Sequence, residues 1–111
     1  MARDSMNDQM IEEVSGIFGA LGDASRLRIL RALLASQTAL SQGGVSEQTG
    51  LSQANSSKHL GYLVRAGLVN REQKGNTVYF SIGTPLVEQM CHLVCDHVAE
   101  RIKVAFHAIG R

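Results

Sequence analysis

Tryptophan is missing from this chain of 111 residues, proline occurs once and cysteine twice. No charge sign dominates either: 11 Lys and Arg stand against 10 Asp and Glu, a formal charge of +1. The balanced total excludes an overall polycation, so a nucleic-acid partner cannot be read from net charge. Long apolar runs are also lacking. The uncharged stretch Leu33–Val45 is broken by Ser, Gln, Thr and Gly, far short of the roughly 20 apolar residues of a membrane helix. Residues Met1-Ala2-Arg3-Asp4-Ser5 show no basic-then-apolar signal pattern, which is read as a cytoplasmic setting where thiols stay reduced. No structural disulfide is therefore expected. Nor is there a nucleotide-binding glycine loop, a paired-carboxylate cleft or a metal-hydrolase spacing, and no repeat, linker or low-complexity tract interrupts the chain.

What is present is a globular composition, 44% hydrophobic and 19% charged, which excludes disordered and fibrous classes. The length suits one domain with a modest core, residues 1–111, completed by a partner copy. Apolar residues Met10, Val14, Ile17, Phe18 and Leu21 recur at helical spacing, predicting a first helix from about Asn7 to Ala20. Gly22-Asp23 interrupts it and offers an N-cap. Leu27, Leu30 and Leu34 with Ile29 and Leu33 then form the apolar stripe of a second helix, Ala24 to Ala35. Ser41 caps a short third helix to Thr49, in which Gly43 and Gly44 each cost roughly 1 kcal/mol relative to Ala. After Gly50-Leu51, Ser52 caps a fourth helix to about Ala66, with Leu60, Leu63 and Val64 on its buried side and Gly67 ending it. Two strand-like runs follow, Leu68 to Arg71 and Thr77 to Ile82, joined by a polar, basic tip, Glu72 to Asn76. Thr84-Pro85 starts the last helix, which runs to about Ile109. The expected fold is mainly α with a small β-hairpin, in the order α-α-α-α-β-β-α.

A short helix, a Gly turn and a capped helix make the helix-turn-helix pattern, whose second helix lays its N-terminal side chains on base edges in the major groove. Those side chains are Gln53, Ala54, Asn55, Ser57 and Lys58, with His59 one step further. Gln and Asn bond adenine bidentately, Ala touches a thymine methyl, and Lys and Ser meet phosphate or guanine. The hairpin behind them, with Arg71, Lys74 and Asn76, has the composition of a wing along the flanking backbone. Counting charge by segment gives −2 for residues 1–50, +3 for 51–82 and 0 for 83–111. The positive excess sits in the DNA-reading segment, as phosphate neutralisation requires.

The stretch Phe18-Gly19-Ala20-Leu21-Gly22-Asp23-Ala24-Ser25-Arg26-Leu27-Arg28-Ile29-Leu30 resembles the opening signature of the ArsR/SmtB winged-helix repressors. Leu51-Ser52-Gln53 with Ser57-Lys58-His59-Leu60 resembles their recognition helix, and Ala66-Gly67-Leu68-Val69 and Arg71 to Phe80 their strand and wing. The resemblance spans Phe18 to Ile82. It implies a winged helix-turn-helix homodimer that represses a small operon and leaves double-stranded operator DNA when an effector binds. Ser46, Thr49 and Ser56 depart from the family's usual apolar or small apolar residues, which implies a looser helix-turn-helix core. The family's cysteine cluster at the third helix is replaced by Ser41, Gly43 and Ser46. Its zinc-type pattern on the last helix fails because Asp96 and His97 are adjacent and Gly110 stands where the last ligand would fall.

Cys91 and Cys95 remain, four apart and so on one helical face. With Val98, Ile102, Ala105 and Ile109 they form a heptad-like seam, which together with Val14 and Ile17 of the first helix is the expected dimer interface. Two readings stay open. The cysteines are small hydrophobes packed in that seam, or they are an effector site for arsenite or a thiophilic metal ion, with His92 as a third ligand, or for an oxidant. On the first reading the protein is a constitutive DNA-binding repressor. A thiol-redox enzyme is a further alternative, but the Cys-x-x-Cys spacing at a helix N-terminus is absent.

Overall fold

The structure, a computed structural model, describes residues 6–109, without the side chain of Ile109. The signal-pattern reading of Met1–Ser5 lies outside the described residues. Four helices begin at side-chain caps that the sequence carries in plain view. Asn7 accepts from the Met10 amide at 2.9 Å and opens α1, Asp8–Leu21. Asp23 accepts from Arg26 N at 3.0 Å at the head of α2, Ala24–Ala35. Ser41 accepts from Gly44 N at 3.1 Å before α3, Gln42–Thr49, and Ser52 from Asn55 N at 3.1 Å before α4, Gln53–Arg65. Each cap satisfies one of the amides that a helix start leaves without a partner. Thr84 Oγ1 accepts from Leu86 N at 3.2 Å, and Pro85 opens the last helix, α5, Pro85–Ile109.

The expected hairpin is present, with two differences. Strand β2 spans Val69–Lys74 and β3 Thr77–Ile82, registered from Val69 opposite Ile82 to Lys74 opposite Thr77. Glu72, Gln73 and Lys74 thus belong to the strand, and the tip is only Gly75-Asn76. Gly75 has φ 63° and among the described residues no non-glycine residue has a positive φ, so Asn76 does not share the left-handed conformation of Gly75. A glycine alone at the first central position is the pattern of a type II′ hairpin, whose twist matches its strands. The second difference is an extra strand. Leu40–Ser41, β1, pairs antiparallel with β3, giving sheet order β1-β3-β2. Two residues are too few to show alternation, so periodicity could not reveal it.

The core gathers Ile29, Leu30 and Leu33 of α2, Val45 of α3, Leu60 and Leu63 of α4, Leu68, Val69 and Phe80 of the hairpin, Ala20 of α1 and Val87 of α5. Leu27, expected in the buried stripe, is instead 44% exposed, because the α2 face that meets the core centres on Ile29, Leu30 and Leu33. The first and last helices contribute one fully buried residue each, and α5, about 37 Å long at 1.5 Å per residue, runs on past the core. The Cα radius of gyration, 16.7 Å, exceeds the roughly 13 Å of a compact domain this long.

Gly50 ends α3 with φ 77°. Gly50→Ala is therefore expected to destabilise the fold by about 1–2 kcal/mol through backbone strain alone, since an added Cβ meets no atom within 4 Å. Gly16, mid-helix in α1 and equally open, is expected to gain about 0.5–1 kcal/mol as Ala. Urea unfolding of the two variants, with opposite shifts in midpoint, checks both signs.

Candidate functional site

The turn between α3 and α4 is held by hydroxyl groups. Thr49 Oγ1 donates to Val45 O at 2.7 Å and accepts from Leu51 N at 3.3 Å. Ser46 donates to Ser56 Oγ at 2.8 Å, and Ser56 is fully buried. These are the positions expected to loosen the helix-turn-helix core. Each finds its partner within the motif, so no buried hydroxyl among the described residues is left unsatisfied, and the crossing of α3 and α4 is pinned by directional bonds.

With Ser56, Leu60 and Leu63 buried, α4 turns Gln53, Ala54, Asn55, Ser57 and Lys58 outward, all exposed. Gln42 on α3, which no sequence pattern singled out, donates from Nε2 to Gln53 O at 3.2 Å and to Gln53 Oε1 at 3.3 Å. That contact engages the acceptor end of the Gln53 amide and leaves its donor end free. Gln42, Ser57, Arg65 and Arg71 line a shallow cavity of about 320 Å³ between α4 and the wing. Arg65 was not anticipated there. Its guanidinium lies over Gly61, where a Cβ would stand 3.2 Å from Nη1.

The wing divides the expected cations. Strand alternation places Arg71 and Lys74 on opposite faces, Arg71 toward α4 and Lys74 away from it beside Glu72 at 3.9 Å. That ion pair is about two-thirds exposed at both ends and contributes little. Asn76 sits exposed at the tip. His59 does not join the outward group. Its side chain is 13% exposed, with Nδ1 at 3.3 Å from Arg26 Nη1 and 4.0 Å from Asp23 Oδ2, so its contact is local and not with the outer face.

Arg26 itself links three helices. Its Nε donates to Ala20 O at 2.9 Å and its Nη2 to Gly19 O at 3.0 Å, at the end of α1. Its guanidinium carbon lies 4.1 Å from the centre of the Tyr62 ring on α4, a cation–π contact. Gly19 makes room for this, since a Cβ there would stand 3.3 Å from the Tyr62 hydroxyl. The Arg26 backbone amide, followed by the charges of Arg26 and His59, holds the Asp23 carboxyl below the usual carboxylate range, against the opposing effect of desolvation. The stabilisation from this lowered value is present above the ordinary carboxylate pKa and is lost as pH falls through the folded one.

The thiols lie on α5, facing α2 and the end of α1. Cys91 packs half-buried against the core and Cys95 is exposed. Burial raises the Cys91 pKa, and the neighbouring Cys95 raises it further. His92 does not turn to them as a third ligand; its Nε2 faces Glu88 at 3.9 Å. No group of three or more His, Cys, Asp or Glu side chains among the described residues could hold a metal ion. Two thiols suit a two-coordinate soft ion and leave a three-thiolate site such as arsenite prefers one ligand short. Beyond Cys95 the expected seam is open: Val98 is 42% and Ile102 64% exposed, and Ala105 is exposed. Ile109 has no described side chain. Val14 and Ile17 on α1 are half-buried. Phe18, Leu93, Val94, Val104 and Phe106 add further exposed apolar surface on the same two helices. No described helix is long and apolar enough to cross a membrane.

A three-helix core with an exposed polar recognition helix, and a hairpin wing beside it, defines a winged helix-turn-helix DNA-binding protein. Comparison with known proteins agrees. A family model described as a helix-turn-helix domain matches residues 21–72. The transcriptional activator HlyU of Vibrio cholerae is 36% identical over 93 residues, covering 80% of this chain and 84% of that protein. A probable mercury resistance operon repressor of Streptomyces lividans is 33% identical over 76 residues, 68% of this chain and 59% of its own. The crystal structure of Mycobacterium tuberculosis Rv0081 superposes with a TM-score of 0.76 at 26% identity, over 89% of this chain and 98% of that one. The chain belongs to the ArsR/SmtB family of winged helix-turn-helix proteins and is a DNA-binding transcriptional regulator, a family whose members act by binding and not by catalysis.

Removing the Arg26 side chain should free α1 from α4. Arg26→Ala is expected to cost about 2–3 kcal/mol, the value of charge-assisted bonds to two carbonyls plus the ring contact. Arg26→Lys, a single point donor, should recover less than half of it. Urea unfolding of both variants measures the difference.

Proposed function

We propose that the protein is a homodimeric repressor that holds an imperfectly palindromic operator through two copies of α4 and the wing, and that modification or ligation of Cys91 and Cys95 releases it. The observation that carries this reading is the polarity of the fold. The outward side of α4 carries Gln53, Ala54, Asn55, Ser57 and Lys58 beside Arg65 and Arg71, while α1 and α5 carry large uncovered apolar side chains. Exposed apolar surface of this extent marks an association face, so α1 and α5 are the dimerisation elements of a single domain. A two-fold axis there would set the recognition helices about 34–36 Å apart, one helical turn of DNA.

Gln53, with its donor end free, supplies base discrimination; Lys58, Arg65, Arg71 and Lys74 neutralise phosphates. Asn55 and Asn76 extend the contact at the start of α4 and at the wing tip. His59 acts through Arg26 and not on DNA. Support for a thiophilic effector comes from the two thiols at the junction of α2 and α5 and from the Streptomyces lividans relative, named for mercury resistance. In a reducing cytoplasm both thiols would be free to respond. The second reading, a constitutive repressor with structural cysteines, is favoured by the packing of Cys91 against the core.

Gln53→Ala is expected to lose about 1–3 kcal/mol on the operator while barely changing affinity for unrelated DNA. Lys74→Ala should weaken all sequences alike and lower the salt slope by about one. Competition binding at several salt concentrations separates them, and an unchanged operator preference in Gln53→Ala would refute the assigned helix register. For the effector, gel shifts of reduced protein with mercuric ion, arsenite and oxidant should show release in wild type that Cys91→Ser and Cys95→Ser abolish. No release from wild type leaves the constitutive reading standing, whereas release that survives both substitutions refutes both readings by placing the effector elsewhere.

A further inference from the structure

The two thiols do not stand in a purely apolar setting. A cavity of about 550 Å³ runs between α2 and α5, with Leu27 and Leu34 on its apolar lining, Cys91 and Cys95 on the α5 side, and Arg28 and Arg31 on the α2 side. The two arginines are three residues apart and so neighbours on one helical face. Both are exposed, and among the described residues neither forms an ion pair or a side-chain hydrogen bond. Glu88, the carboxylate that lines the thiols' other flank among the described residues, faces His92 at 3.9 Å. The α2 side of the groove is thus positive and uncommitted, and the negative charge lies across α5 from it.

We infer that this groove takes an anionic, thiol-reactive molecule of the class of carboxylated low-molecular-weight disulfides, with Arg28 and Arg31 holding its carboxylates while Cys95 exchanges with its sulfur. The inference rests on the reading of Cys91 and Cys95 as the effector site and names the chemistry of the effector. Cys95 is the attacking group because it is exposed, whereas Cys91 is half-buried. The Cys95 thiolate forms a bond to one sulfur of the disulfide, the ligand's own S–S bond breaks, and the other half leaves as a thiolate with the electron pair. Cys95 is thereby oxidised to a mixed disulfide and the departing half is reduced, so no further oxidant is required. The retained half keeps its carboxylate beside Arg28 and Arg31 and fills the gap between α2 and α5, next to the half-exposed Leu27. Two unscreened cations beside a thiol also raise the local concentration of an anionic reagent, an effect that salt removes.

The test uses the full chain carrying Cys91→Ser, so that Cys95 alone reports. Its thiolation rate is measured with dithiobis(nitrobenzoate), a dianion; with dithiodipyridine, which is neutral; and with cystamine, a dication. At low salt the ratio of dianion to neutral rates is expected to fall about tenfold in Arg28→Gln/Arg31→Gln. Raising NaCl from about 0.02 to about 0.5 M on the unsubstituted arginines should lower it similarly, a measurement independent of any folding defect in the variant. Arg28→Glu/Arg31→Glu should invert the preference toward cystamine. A ratio unmoved by both salt and substitution overturns the inference. Operator release by the dianion is followed in parallel, in wild type and in Cys95→Ser. Release that persists in the Cys91→Ser/Cys95→Ser double variant defeats the effector-site reading itself, release that persists in Cys95→Ser alone defeats Cys95 as the attacking group, and release lost in Cys95→Ser with an unmoved rate ratio defeats only the anionic chemistry.

Discussion

One guanidinium sets the relation between the part of the molecule that meets DNA and the part that meets a second copy. Helix α1 buries only Ala20 completely, too little apolar contact to fix its direction. Of its terminal carbonyls, among those a helix end leaves without i+4 amide donors, Ala20 O accepts from Arg26, and Gly19 O accepts from Arg26 as well as from the Gly22 amide at 3.3 Å. The same group lies against Tyr62 and beside His59 on the recognition helix. A rotation of α1 about its axis therefore strains contacts on α4 directly, without passing through the core. Arg is suited to this because its planar fork serves several acceptors at once while its face stacks on an aromatic ring.

Much of the fold was legible because its signals are local. Asn7, Asp23, Ser41, Ser52 and Thr84 announce the helix starts within a few residues, and Gly50, Gly67 and Gly75 mark turns where the backbone is left-handed. What escaped notice depends on partners distant in sequence. Strand β1 exists only because Leu40 and Ser41 lie opposite Phe80 and Tyr79. The wing runs three residues further toward its tip than expected because cross-strand pairing with Thr77, Val78 and Tyr79 carries Lys74, Gln73 and Glu72 despite their polarity. Leu27 looks as apolar as Leu30, and only the packing of α2 decides which of them is covered.

The site divides in the same way. Residue types at the start of α4 gave Gln53, Ala54, Asn55, Ser57 and Lys58 as outward groups, and they are. Their supports were not visible: Gln42 orienting Gln53, Arg65 folded over Gly61, and the Ser46–Ser56 bond that replaces an apolar contact. That bond shows how a hydroxyl pair occupies a place where the family pattern expects hydrocarbon. Polarity at one of the two positions would leave a buried orphan, whereas at both it gives a satisfied and more directional contact. His59, one step along α4 from the outward group, lies against Arg26 and Asp23, contacts that depend on residues more than thirty positions away in the chain.

The length of α5 beyond the core bears on how the protein exists at different abundances. Leu93, Val94, Val98, Ile102, Val104 and Phe106 are each more than 40% exposed. If a second copy covers them, part of each chain's free energy of folding belongs to association, and resistance to heat and proteolysis rises with protein concentration. Such a regulator is self-thresholding: newly made chains below the dimerisation constant keep an apolar helix open to proteases, and only a population large enough to pair persists. Occupancy of DNA, which requires the pair, would then climb more steeply than the number of chains.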